Sequence, residues 1–149
     1  MPRITAQEIY QICEQSLPWA GMMGFEIAEI GEGTCRVRLP RSDRFLRPGG
    51  TVSGPALMSL ADYGMYVAVL SRIGRVEMAV TTNLNCNFLR RPKPGAVIAD
   101  CRLIKLGKRL AYGEVSLYSE GAEADGPVAH VTATYSIPPG SIPPERGGG

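Results

Sequence analysis

Residues 54–70, GPALMSLADYGMYVAVL, are apolar or small at nearly every position, and Asp62 is the one ionisable acid among them. Pro55 suits a first helical turn and Gly74 lies just past the end, so the stretch reads as one long helix. A helix that is apolar all round cannot rest one face on a sheet and leave the other in water. It has to be covered on most sides. The remainder of the chain must therefore supply a sheet that curls around it, an α+β arrangement.

The flanking segments have the patterns to do so. Thr5 to Leu17 places Ile9, Ile12 and Cys13 on one face, with Thr5 as N-cap and Pro18 as the stop, a short covering helix. Phe25 to Leu39 reads as a hairpin turning at Gly31-Glu32-Gly33, its second arm alternating Cys35, Val37 and Leu39 with Arg36 and Arg38. After the helix, Met78–Leu89, Ala96–Leu106, Arg109–Ser119 and Val128–Ile137 read as four strands with short connections, an antiparallel meander. At 149 residues the chain suits a single domain, spanning 1–137, and the Pro- and Gly-rich segment 138–149 reads as a mobile tail.

Several function classes are disfavoured. A net charge of +2 argues against a nucleic-acid binder on bulk charge. The apolar run is broken by Asp62 and too short to cross a bilayer, and no charged-then-apolar leader opens the chain. Cys13, Cys35, Cys86 and Cys101 lack metal-ligand spacing, so they read as packed thiols of a cytoplasmic protein, with no metal expected. Gly49-Gly50 lacks the strand and helix context of a dinucleotide loop. His130, the one histidine, alternates with strand residues, and no nucleophile-elbow pattern accompanies it.

A carboxylate in apolar surroundings is costly and is retained where it has a use or a partner. On the helix, Met58, Met65 and Tyr66 lie on the stripe nearest Asp62, and Ala56, Leu57, Leu60, Ala61, Gly64, Ala68 and Val69 can pack against the sheet. Gly49-Gly50-Thr51-Val52-Ser53-Gly54-Pro55 followed by Leu60-Ala61-Asp62 resembles the signature of the hotdog-fold acyl-CoA thioesterases of the phenylacetate-pathway type. The likeness continues through Thr81 to Pro92 and Gly107-Lys108-Arg109-Leu110-Ala111-Tyr112, covering roughly residues 20–137. It implies a sheet wrapped around one helix, paired edge to edge as a homodimer or doubled to a tetramer, and hydrolysis of an acyl-CoA thioester without a further cofactor.

Carried across by position, the resemblance implies that Asp62 is the general base or nucleophile. Gly54 would supply a backbone N–H to the thioester oxygen, where the helix dipole also favours negative charge. Thr81 falls on the hydroxyl near the acid or the attacking water. Two positions depart from the pattern: Ser53 stands where the family usually has histidine, and Arg47 where it often has asparagine or glutamine. Serine cannot take a proton at neutral pH as imidazole can. Arg47, turned inward, would favour the charged carboxylate. Arg90, Arg91, Lys108 and Arg109, with Lys93 and Lys105, would form a basic rim for the coenzyme A phosphates or, equally, a solvated edge. A relative that binds acyl-CoA without hydrolysing it is the alternative. A hydratase of the same fold is disfavoured by Val67, where a histidine would be expected.

Overall fold

A computed structural model describes residues 1–141. Three α-helices and six strands follow in the order α1 (Ala6–Ser16), α2 (Pro18–Met23), β1 (Glu26–Ile30), β2 (Thr34–Leu39), α3 (Gly54–Ile73), β3 (Val80–Phe88), β4 (Val97–Leu106), β5 (Leu110–Ser119) and β6 (Ala129–Ser136). Helix α3 buries 14 of its 20 residues and touches all six strands, so the sheet does curl around it. At about 1.5–3 kcal/mol per large side chain removed from water, Leu57, Leu60, Met65, Leu70 and Ile73 together make this helix a large contributor to core stability. The proposed mobile tail falls in part on residues 142–149, which lie outside the described residues.

The ends of the helices follow from their sequences. Thr5 accepts from the Glu8 N–H while the Glu8 carboxylate accepts from the Thr5 N–H, a complete capping box. Ile9, Ile12 and Cys13 are the buried face of α1, as their spacing predicts. Pro18 does end α1, but it also opens the unpredicted α2, because the fixed φ of proline is already helical at a first position. Across the α1–α2 corner, Trp19 meets Phe25 edge-on and Phe25 stacks on Tyr63 of α3 with centroids 4.5 Å apart.

The sheet departs from the predicted meander. Its order is β1-β2-β4-β5-β6-β3, all neighbours antiparallel, so of the four strands after α3 only β4, β5 and β6 follow one another in space. β3 pairs with β6 at the far edge rather than with β4. Alternation identifies a strand and its inward face but carries no information about its neighbour, which is set by how the connections pass around α3. β3 also contains a bulge between Thr81 and Asn83. The extra residue puts Thr81 on the inward side together with Leu84, Cys86 and Phe88.

The two sheet edges differ in character. β1 carries Glu26 and Glu29, charges that discourage pairing with another chain. β3, VTTNLNCNF, has no charge and no proline, and Met78, Val80, Phe88 and Leu89 on or beside it are exposed.

Candidate active site

Asp62 sits on α3 opposite the bulged end of β3. Thr81 Oγ1 donates to its Oδ1 at 2.5 Å, and Tyr135 of β6 places its hydroxyl 2.6 Å from the same oxygen and 2.8 Å from the Asp62 carbonyl. Thr81 and Tyr135 are directly paired across β3 and β6, which is why both reach one oxygen. No side chain among the described residues bonds Oδ2. Since no buried side-chain oxygen or nitrogen among the described residues lacks a partner, Oδ2 is the open oxygen of the pair.

That carboxylate lines a cavity of about 160 Å³ bounded by Leu17 and Trp19 at the α1–α2 corner, Tyr63 and Tyr66 of α3, and Glu77 and Val80 before and on β3. Its wall is largely aromatic. Burial pushes the Tyr66 hydroxyl up to about 12. Tyr63 and Tyr135 are raised further, each mainly by burial and, for Tyr135, next by the Asp62 charge. All three therefore remain neutral phenols around pH 7 and can donate. Tyr66 uses its proton on the Glu77 carbonyl at 3.1 Å. Tyr135 was missed from sequence; the signal was its place on the inward side of β6 with Val131 and Ala133, since an inward tyrosine needs an acceptor.

The other expected residues are distributed along α3 and its approach. Gly54 begins the helix eight positions before Asp62, about 12 Å away along the axis, with an N–H that no intrahelical carbonyl can take. One chain therefore cannot present both groups to the same thioester carbonyl. Phe88 lies against Gly54, so close that a β-carbon there would fall 3.2 Å from its ring. Ser53 is the N-cap of α3, its hydroxyl accepting from the Ala56 N–H at 3.4 Å. Arg47 is exposed on the preceding turn, where its backbone bonds Thr51 and Gly50, and it does not bond Asp62. Met58 lies half-way between Gly54 and Asp62 and is exposed. Met65, expected beside the acid, is instead wholly buried with its thioether over Gly113 of β5. Three residues advance the helix by about 300°, which turns Met65 from the cavity toward the sheet.

The basic residues do not form one rim within a chain. Arg90 and Arg91 follow Phe88, which pairs with Ala129; Lys108 and Arg109 precede Leu110, which pairs with Ser136. The seven steps of β6 between those partners separate the two pairs by about 24 Å. Arg90 also donates to the Pro127 carbonyl at 3.0 Å.

A larger groove of about 440 Å³ crosses the outer face of β2, β4 and β5; Glu29 lines it, and its other charges are paired, Arg36 with Asp100 and Arg102 with Glu114. His130 bonds Glu114 at 3.1 Å on this side and has no part in the Asp62 cluster. Among the described residues no group of three or more His, Cys, Asp or Glu could hold a metal ion, and no helix is long and apolar enough to cross a membrane.

Comparison with known proteins agrees with this architecture. Residues 49–124 match the Thioesterase superfamily. A crystal structure of a "putative thioesterase" from Silicibacter sp. TM1040 is 42% identical, with a TM-score of 0.82 over 93% of this chain and 95% of that one. Phenylacetic acid degradation protein PaaI from Thermus thermophilus, solved as a variant, is 26% identical, with a TM-score of 0.70 over 81% of this chain and 99% of that one. The 1,4-dihydroxy-2-naphthoyl-CoA hydrolase of Escherichia coli is 24% identical over 119 residues, 79% of this chain and 85% of the relative. With the curled sheet, the enclosed helix and these matches together, the chain belongs to the thioesterase superfamily and is a thioester hydrolase of the hotdog fold.

Proposed function

We propose that the substrate is an acyl-CoA and that the site is shared by two copies of the chain, Asp62 from one and the Gly54 N–H from the other. The observation that carries this reading is the course of β3, whose Thr81 end lies at Asp62 and whose Phe88 end lies at Gly54. Its free edge has no charge to prevent pairing. Two such edges joined antiparallel about a two-fold axis bring the Gly54 end of each chain beside the Asp62 end of the other. The separation of about 12 Å along one helix is thereby closed between helices. The 1,4-dihydroxy-2-naphthoyl-CoA hydrolase from Escherichia coli supports the choice of thioester.

In this arrangement the acyl group occupies the aromatic cavity and its carbonyl oxygen points to the Gly54 N–H. Asp62 Oδ2 removes a proton from water as the water oxygen bonds the carbonyl carbon, or attacks that carbon itself. Negative charge on the carbonyl oxygen is held by the N–H and by the positive end of α3. The C–S bond then breaks and coenzyme A leaves as its thiol, taking the proton held by Asp62 or, where Asp62 was the nucleophile, a proton of the water that next hydrolyses the acyl–Asp62 anhydride, so the acid is released with a net consumption of one water. A screen of short, long and aryl acyl-CoAs for release of free thiol tests the reaction. Binding without release in all of them would make the chain a non-catalytic acyl-CoA binder.

Two results follow from the shared site. Light scattering at micromolar concentration should give a dimer or a multiple of one; a folded monomer would rule out both the assembly and the composite site. Pairing through β3 also brings Arg90 and Arg91 of one copy to the same sheet end as Lys108 and Arg109 of the other. Removing these charges should raise KM for acyl-CoA while leaving a short thioester that lacks the nucleotide nearly unaffected. Equal losses on both substrates would assign the four residues to folding or chemistry instead.

A further inference from the structure

We infer that Tyr135 is a positioning residue for Asp62, which with Thr81 fixes Oδ1 so that Oδ2 alone is presented to the reacting water or carbonyl. This rests on the catalytic reading of Asp62 given above. A carboxylate turning about its last bond exchanges its two oxygens freely, because that torsion is broad. Here one oxygen receives hydroxyls at 2.5 and 2.6 Å from two different strands, and the other receives none. The result is a carboxyl group with one anchored and one working oxygen.

The anchor is firm because of where it is mounted. The Tyr135 side chain is 2% exposed, its ring lies 6.3 Å from that of Tyr66, and its backbone is held in the middle of the sheet between β5 and β3. Thr81 sits on the edge strand and is fixed by the bulge. The phenol is close enough to donate to either the Asp62 side chain or the Asp62 carbonyl. When the carboxylate is charged, donation to Oδ1 is the stronger bond.

Other groups facing the acid do not duplicate this function. From α3, Tyr63 and Tyr66 line the same cavity as neutral phenols, and the Tyr66 proton is used on Glu77. From the segment before β3, the Glu77 carboxylate is paired with Arg75 at 2.6 Å. From the α1–α2 corner, Leu17 and Trp19 contribute no charge.

Steady-state hydrolysis of the best acyl-CoA by Tyr135→Phe, compared with the parent protein, tests the inference. The ring and its packing remain, so the variant should melt within a few degrees of the parent and keep its KM. Its kcat should fall about tenfold or more, the scale of a hydrogen bond to a charged group. Loss of packing alone would instead lower the melting temperature and change KM along with kcat. Thr81→Val, which removes the other donor, should behave likewise, and Thr81→Ser, which keeps it, should retain near-parental rates. Should Tyr135→Phe not fold, the two threonine variants test the anchored oxygen by themselves. An unchanged kcat, a fall in kcat accompanied by a changed KM and a lowered melting temperature, or a Thr81→Ser variant as slow as Thr81→Val, overturns the positioning role. If Asp62→Asn is inactive in the same assay, that failure is confined to Tyr135; if Asp62→Asn turns over at the parental rate, the catalytic reading fails and this one with it.

Discussion

Asp62→Asn should abolish most turnover while leaving the molecule at least as stable as before. The amide keeps an oxygen in the place of Oδ1, so the Thr81 and Tyr135 hydroxyls retain their acceptor. What is lost is a negative charge in a half-buried, largely aromatic cavity, and an uncharged isostere there relieves a desolvation cost. Removal of a positioned base is worth at least about two orders of magnitude in kcat. Oligomeric mass should stay unchanged, and melting temperature should stay level or rise, as kcat collapses. Destabilisation with unaltered hydrolysis would instead make the carboxylate a structural acceptor.

Gly64→Ala should cause one of the largest losses of stability available to a single methyl group in this chain. Gly64 is in the middle of α3, where glycine is otherwise unfavourable by about 1 kcal/mol relative to alanine. Its retention is explained by what lies over it. A β-carbon would fall 2.3 Å from Cys101 Sγ on β4, and Cys35 Sγ on β2 already donates to the Gly64 carbonyl at 3.1 Å. Cys35 and Cys101 are direct cross-strand partners, so neither thiol can retreat without meeting the other. Overpacking of this kind costs about 1–3 kcal/mol. That lowers Tm by several degrees, at about 2–4 °C per kcal/mol for a domain of this size. Cys101→Ala in the same chain should recover most of the loss, and a double-mutant cycle would expose the coupling. Additive losses would show that the helix and β4 are not in the contact described.

The difference between what could and could not be read from sequence follows the range of the interactions concerned. Capping at Thr5, the inward set of α1 and the enclosure of α3 are consequences of local periodicity, and the structure has them. The place of β3 depends on the path of the connections around α3 and was not legible. That single displacement hid Tyr135 as well, because only the β3–β6 pairing brings Thr81 and Tyr135 to the same oxygen. Arg90 and Lys108 lie at opposite ends of the sheet for a separate reason, since the full length of β4 runs between the turn that follows β3 and the turn that follows β4. Met65 was misplaced for a different reason. A helix in which every side is apolar gives no contrast by which to tell the face toward the cavity from the face toward the sheet.

The cavity beside Asp62 is assembled from two kinds of material. Asp62, Thr81 and Tyr135 belong to the enclosed helix and the sheet, where any change disturbs packing on several sides. Leu17 and Trp19 belong to the corner between α1 and α2, outside the sheet, and Trp19 is 44% exposed with its ring against only the edge of Phe25. Substitutions at that corner can reshape the cavity at little cost to the core, because a partly exposed side chain has little buried contact to lose. Under the proposed function, selectivity and reactivity are thus mounted on separate parts of the fold, and a lineage carrying it is free to change what it accepts without first rebuilding what it does.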